Sequence, residues 1–162
     1  MTLQEFINTL PSNNQFNLAI KLSRLALPIW NNYADKNDLS YRDTVVGLNH
    51  LVDKDLLRKT INSVEKHVQI KKFSLELSKL RSQFDDPIVA LQDGDWDLSD
   101  EVKKTFYSVF NLLEHCLGKL YTIFGELTIY VSINQAVDAL EKSKALTVDE
   151  IRTILEDVKS KK

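Results

Sequence analysis

The stretch SDEVKKTFYSVFNLLEHCLGKLYTIF, residues 99–124, decides the fold. Its apolar residues Val102, Phe106, Val109, Leu113, Cys116, Leu120 and Phe124 recur at steps of three and four. That spacing follows the 3.6-residue turn of an α-helix rather than the two-residue alternation of a strand. Ser99 stands where an N-cap belongs, and Asp100 and Glu101 favour the positive end of the helix. Gly118 and Gly125 either end the helix or let a neighbour pack closely.

Working outward, the same period recurs. Toward the C-terminus, Leu127 to Val131 is β-branched, but Ile129, Ile133, Ala136, Val137 and Leu140 continue a helical stripe. Thr147-Val148-Asp149-Glu150 forms a capping box before Ile151, Leu155 and Val158. Toward the N-terminus, Asp93-Gly94-Asp95-Trp96-Asp97 reads as a loop. Pro87 suits the first position of a short helix through Leu91. Phe73, Leu77, Leu80 and Phe84 make one stripe; Leu57, Ile61, Val64 and Val68 make another, opened by Asp53 or Asp55. Ser40 is expected to cap a helical segment carrying Tyr41, Val45, Val46 and Leu48, weakened by Gly47 and broken near Asn49 to Val52. Phe16, Ala19, Ile20, Ser23, Ala26, Leu27, Trp30 and Tyr33 predict a long helix, with Pro28 kinking or interrupting it. Asp35 to Asp38 is expected to be a loop. A short first helix is capped by Thr2 and stopped by Pro11.

With only four Gly and three Pro in 162 residues, a fold needing many tight turns is disfavoured. The pattern predicts an all-α fold: a single-domain multi-helix bundle over residues 1–162, of about six to eight helices. Hydrophobic residues make up 43% of the chain, enough for an unstapled core at this length. Cys116 is the single cysteine, so no intrachain disulfide forms, which suits a reducing compartment. The N-terminus lacks the basic and apolar regions of a signal peptide, and no apolar run spans a bilayer. A cytoplasmic protein is expected. The formal net charge of −2 provides no global field for nucleic acid.

The charge is nonetheless uneven. From Asp85 to Glu101 there are seven acidic residues and no basic one. Such a field attracts a basic protein surface even on a nearly neutral chain. Asp86, Asp93, Asp95, Asp97 and Glu101 are therefore candidate partner-binding residues, with Trp96 as an aromatic anchor of the kind that carries interface energy. Two other readings of the loop stand beside this one. It is a solvated loop with a helix cap, or a weak cation site: Asp93, Asp95 and Asp97 imitate the start of an EF-hand loop. However, Leu98 replaces the required Gly and Lys104 the bidentate Glu.

No catalytic residue, cofactor or resident metal is assigned. His50, His67 and His115 show no zinc-ligand spacing, and no phosphate-binding glycine motif occurs. Lys66, Lys71, Lys72, Lys79 and Arg81 read as a solvated basic face, and Cys116 as a buried apolar side chain. Three function classes remain: a non-catalytic binding protein; a carboxylate metal-dependent helical-bundle enzyme using Glu114 and the acidic loop, though Glu-x-x-His spacing is missing; and a helical homo-oligomeric scaffold. The expected partner is a protein with a basic surface, not nucleic acid and not membrane.

The run Leu25-Ala26-Leu27-Pro28-Ile29-Trp30, followed by Tyr33, Arg42 and Gly47-Leu48, resembles the first-helix region of small helical bacterial immunity proteins of polymorphic toxin systems. The likeness covers the N-terminal third. It implies an all-helical cytosolic protein that binds and neutralises a toxin, without catalysis. Arg42 beside Asp43 is expected to pair locally, the alternative being that it faces a partner.

Overall fold

The computed structural model describes residues 1–70 and 74–160, with side chains over 1–67 and 74–160. Among the described residues the order is α1 (Leu3–Asn8), α2 (Ser12–Lys36), β1 (Ser40–Arg42), β2 (Asn49–Leu51), α3 (Leu56–Ile70), α4 (Leu75–Asp93), α5 (Asp100–Cys116), α6 (Thr128–Lys142) and α7 (Val148–Ser160). The architecture is an all-α multi-helix bundle, as the spacing predicts. The side chain of Val68, and Phe73, Lys71 and Lys72 altogether, lie outside the described residues. No described helix is long and apolar enough to cross a membrane.

Helix α5 is the centre of the bundle. Val102, Thr105, Phe106, Ser108, Val109, Asn111, Leu112, Leu113 and Glu114 are all buried, more than a single stripe, because α2, α3, α4 and α6 all pack around it. Against α6 it builds a seam of polar pairs. Lys104 Nζ donates to Asp138 at 2.9 Å, and Asn111 Nδ2 to Gln135 Oε1 at 3.2 Å. The Ser108 hydroxyl donates to the Ser132 carbonyl at 2.7 Å, and the Ser132 hydroxyl donates back to the Ser108 carbonyl at 2.8 Å. Buried hydroxyls need such partners, and their small side chains bring the backbones close.

The predicted helix signals are met at several ends. Thr2 with Glu5, and Thr147 with Glu150, form reciprocal capping boxes. Gly94 ends α4 at φ +81°, a left-handed conformation that suits glycine. Residues 128–131 are helical, and Leu127 is bridged to Tyr121. Ser99 occupies the N-cap of α5 without a side-chain capping bond.

Other expectations need correction. Helix α5 stops at Cys116. Gly118, at φ +90°, bonds back to His115 and Lys119 bonds to Glu114, the paired pattern of a Schellman cap. Leu120 and Phe124 therefore leave the stripe and are 52% and 82% exposed. Helix α2 runs through Pro28 and on to Lys36, so residues 35–36 are helical rather than loop. Helix α4 likewise runs through Pro87 rather than starting there. Arg24 and Gln83, whose carbonyls lose a helical donor to these prolines, are both exposed residues, within reach of solvent.

The largest difference lies at Ser40. The segment expected to be helical is an antiparallel hairpin pairing Ser40 with Leu51, Tyr41 with His50 and Arg42 with Asn49. Asp43 explains it. Its Oδ1 accepts from the amides of Val45 at 2.8 Å and Val46 at 3.2 Å, and its carbonyl accepts from Gly47 at 2.8 Å. This side-chain turn competes with a helix, and Gly47 at φ +75° closes it.

The buried residues form a continuous cluster around an aromatic centre. Trp30, Phe84 and Phe106 are fully buried. Trp96 packs edge-on against Trp30, with centroids 6.2 Å apart, and against Phe106 at 5.6 Å. Trp30 is satisfied by donating to the Lys54 carbonyl at 2.9 Å. Tyr41 stacks on the outer side of Trp96 at 5.6 Å, and His50 on Tyr41 at 5.1 Å. A column of rings thus leads from the core to the hairpin.

Candidate functional site

The fold divides the acidic stretch of residues 85–101. Asp85 is held by Arg81, and Asp100 by Lys142 and by Lys104 at 3.4 Å. The Lys142 contact holds the Asp100 carboxyl below the usual carboxylate range. Asp97 is exposed and Glu101 half-buried on α5, and neither joins the others. Trp96, expected as a surface anchor, is only 5% exposed and belongs to the core. Its ring is spent on Trp30, Phe106 and Tyr41 and is not offered to a partner.

Asp86, Asp93 and Asp95 do come together, around a cavity of about 260 Å³ between α4 and the hairpin. Spacing on α4 explains half of its wall. Asp86, Val89, Ala90 and Asp93 lie at i, i+3, i+4 and i+7, one face of a helix. The hairpin supplies Tyr41, Asp43, Val45, Val46 and His50. Asp95 completes the lining and ties the two halves. Its carboxylate accepts from the Thr44 hydroxyl at 2.9 Å and the Thr44 amide at 3.3 Å.

Four carboxylates therefore face this cavity, and among the described residues no lysine or arginine lines it. His50 lines it too, with its Nδ1 3.9 Å from Asp86. Among the described residues Arg42 forms no ion pair with Asp43, contrary to expectation; its guanidinium runs along the hairpin loop toward Gly47. Helix α4 also ends here, at Asp93, with no basic residue in its last turn. A carboxylate at the negative end of a helix is unfavourable by roughly 0.3–1 kcal/mol, so the arrangement works against the helix that carries it.

Tyr41 marks the inner side of the cavity. It is 7% exposed, and its hydroxyl is buried without a hydrogen-bond partner. Burial, then the charges of Asp86, Asp43 and Asp95, push the phenol up to about 12. A buried hydroxyl left unmatched costs on the order of 1–3 kcal/mol. Val45 and Val46 are exposed beside it, and Val89 with them, so the rim is apolar as well as acidic.

The remaining candidates are occupied by structural tasks. Arg81 turns inward rather than joining a basic face. Its Nε lies 2.7 Å from Glu114, which is only 4% exposed, and its guanidinium covers Phe110. His115 packs on Phe16, and burial lowers its pKa. Cys116 is half-buried, and burial pushes its thiol up, away from reactivity. His67 Nδ1 lies 2.6 Å from the Ser63 carbonyl. Among the described residues no group of three or more His, Cys, Asp or Glu is placed to hold a metal ion. The cavity carboxylates are thus spread around its rim and do not converge on one point.

The run that carries the resemblance to immunity proteins is largely structural, with Ala26, Leu27 and Trp30 in the core and Leu25 at the surface. Comparison with known protein families, with characterised proteins and with solved structures finds no match.

Proposed function

We propose that this is a non-catalytic binding protein that engages a basic protein partner through the acidic cavity between α4 and the hairpin. The observation that carries this reading is the cavity lining: Asp43, Asp86, Asp93 and Asp95, with no lysine or arginine among the described lining residues. Uncompensated like charges repel and cost stability, so their retention at one place fits a surface completed by an incoming cation. An inhibitor of the immunity type is one form of such a protein. The resemblance of Leu25 to Trp30 and the following residues supports that form. A metal-dependent enzyme gains no support from the placement of Glu114, which is engaged by Arg81.

Calorimetric titration with an arginine- and lysine-rich peptide tests the reading. Binding is expected to weaken steeply with salt and to drop at least tenfold when Asp86 and Asp93 are both replaced by Asn. The control Asp35→Asn/Glu156→Gln removes two exposed carboxylates elsewhere and should leave binding unchanged. Equal loss in both double variants would reduce the effect to net charge and overturn the proposed site.

A further inference from the structure

We infer that the cavity is built to receive one arginine side chain projecting from the partner protein. This deepens the reading above and rests on it.

Several acceptors lie together in one place. The Tyr41 hydroxyl is buried and unpartnered, and Tyr41 lines the cavity together with four carboxylates. An acidic rim alone would suit any cation. A phenol oxygen without a donor calls for an N–H group that comes close enough to reach it. Trp96 and His50 both stack on the Tyr41 ring, at 5.6 and 5.1 Å. The unpartnered hydroxyl is then the polar group that Tyr41 contributes to the lining.

Three features select arginine. The carboxylates are not placed to hold a metal ion, whereas a planar guanidinium offers five donors spread over a fork and can satisfy several separated acceptors. Val45, Val46, Val89 and Ala90 provide an apolar wall for the methylene stem, which such side chains bury while the head stays among polar groups. The volume, about 260 Å³, suits a side chain better than a folded element. The carboxylates would accept in-plane N–H bonds, which are stronger when both partners are charged.

The test is nuclear magnetic resonance on methyl-labelled protein, titrated with a short glycine-flanked peptide bearing one arginine. Lysine and citrulline versions and free L-arginine are run beside it. Shifts are expected at the methyls of Val45, Val46 and Val89, with the arginine peptide binding more tightly than the lysine version and the citrulline version binding most weakly. Tyr41→Phe should weaken binding roughly two- to tenfold, and Asp86→Asn or Asp93→Asn roughly three- to tenfold, while Asp35→Asn has no effect.

Equal affinity for lysine overturns the choice of arginine. Tighter binding of free L-arginine overturns a protein source. Arginine-peptide shifts confined to another surface overturn this inference while leaving a basic partner in place. No binding of any basic peptide, here or in calorimetry, overturns both.

Discussion

Tyr41 joins the core to the site. Its ring is stacked between Trp96 and His50, and its hydroxyl lies among charges without a donor or acceptor of its own. Replacement by Phe keeps the stacking and removes the unmatched group. Tyr41→Phe is therefore expected to raise stability by about 1 kcal/mol in urea denaturation, even as it weakens ligand binding. A loss of stability would mean that the hydroxyl has a partner in solution. Ionisation gives a second handle. The folded-state pKa is about 12, above the ordinary value of 10.0, so the neutral phenol's contribution is complete below pH 10 and is lost as pH rises through about 12. Stability should fall across that window, and Tyr41→Phe should make the fall shallower. Tyr107, also raised by burial, supplies part of the remainder. None of this was legible at Tyr41 from spacing alone, since Tyr41 and Asp95 are brought together only by tertiary structure.

At the level of elements, sequence and structure agree where periodicity and capping coincide. Residues 102–116 and 148–158 carry both signals and are helices, and 129–140 is helical on periodicity alone. They differ where a local side-chain bond outweighs the pattern. Asp43 capping its own turn makes a hairpin of an expected helix, and Gly118 in the left-handed region ends α5 though Leu120 and Phe124 keep the period. The seam between α5 and α6 was not legible either, because serines carry no apolar signal. Its energetics are open to measurement. The Ser108 hydroxyl gives its proton to the Ser132 carbonyl, so Ser23, 3.0 Å away and fully buried, must donate to Ser108. Ser108→Ala leaves the Ser23 hydroxyl unmatched and should cost about 1–3 kcal/mol in denaturant unfolding. The double variant Ser23→Ala/Ser108→Ala should cost less than the sum of the single changes. Additivity would show that the two hydroxyls do not interact.

For the whole molecule, the acidic bias of residues 85–101 singled out charges that the fold then separates. Asp86, Asp93 and Asp95 reach the cavity, while Asp85 and Asp100 are neutralised by Arg81, Lys104 and Lys142. A count of charges along a chain cannot show which of them meet counterions from distant helices. Trp96 has the opposite history. Read as a surface anchor, it is a core residue that carries Tyr41 on its outer face, so the site stands on the same aromatic column that holds α2 and α5. Binding of a partner's guanidinium in this cavity is open to a double-mutant cycle. Affinities of the arginine and citrulline peptides are measured against the natural protein and against Asp86→Asn. A coupling of about 0.6–1.4 kcal/mol between the guanidinium and Asp86 is predicted, the whole of the three- to tenfold loss; the two losses simply adding, with no coupling, would contradict it.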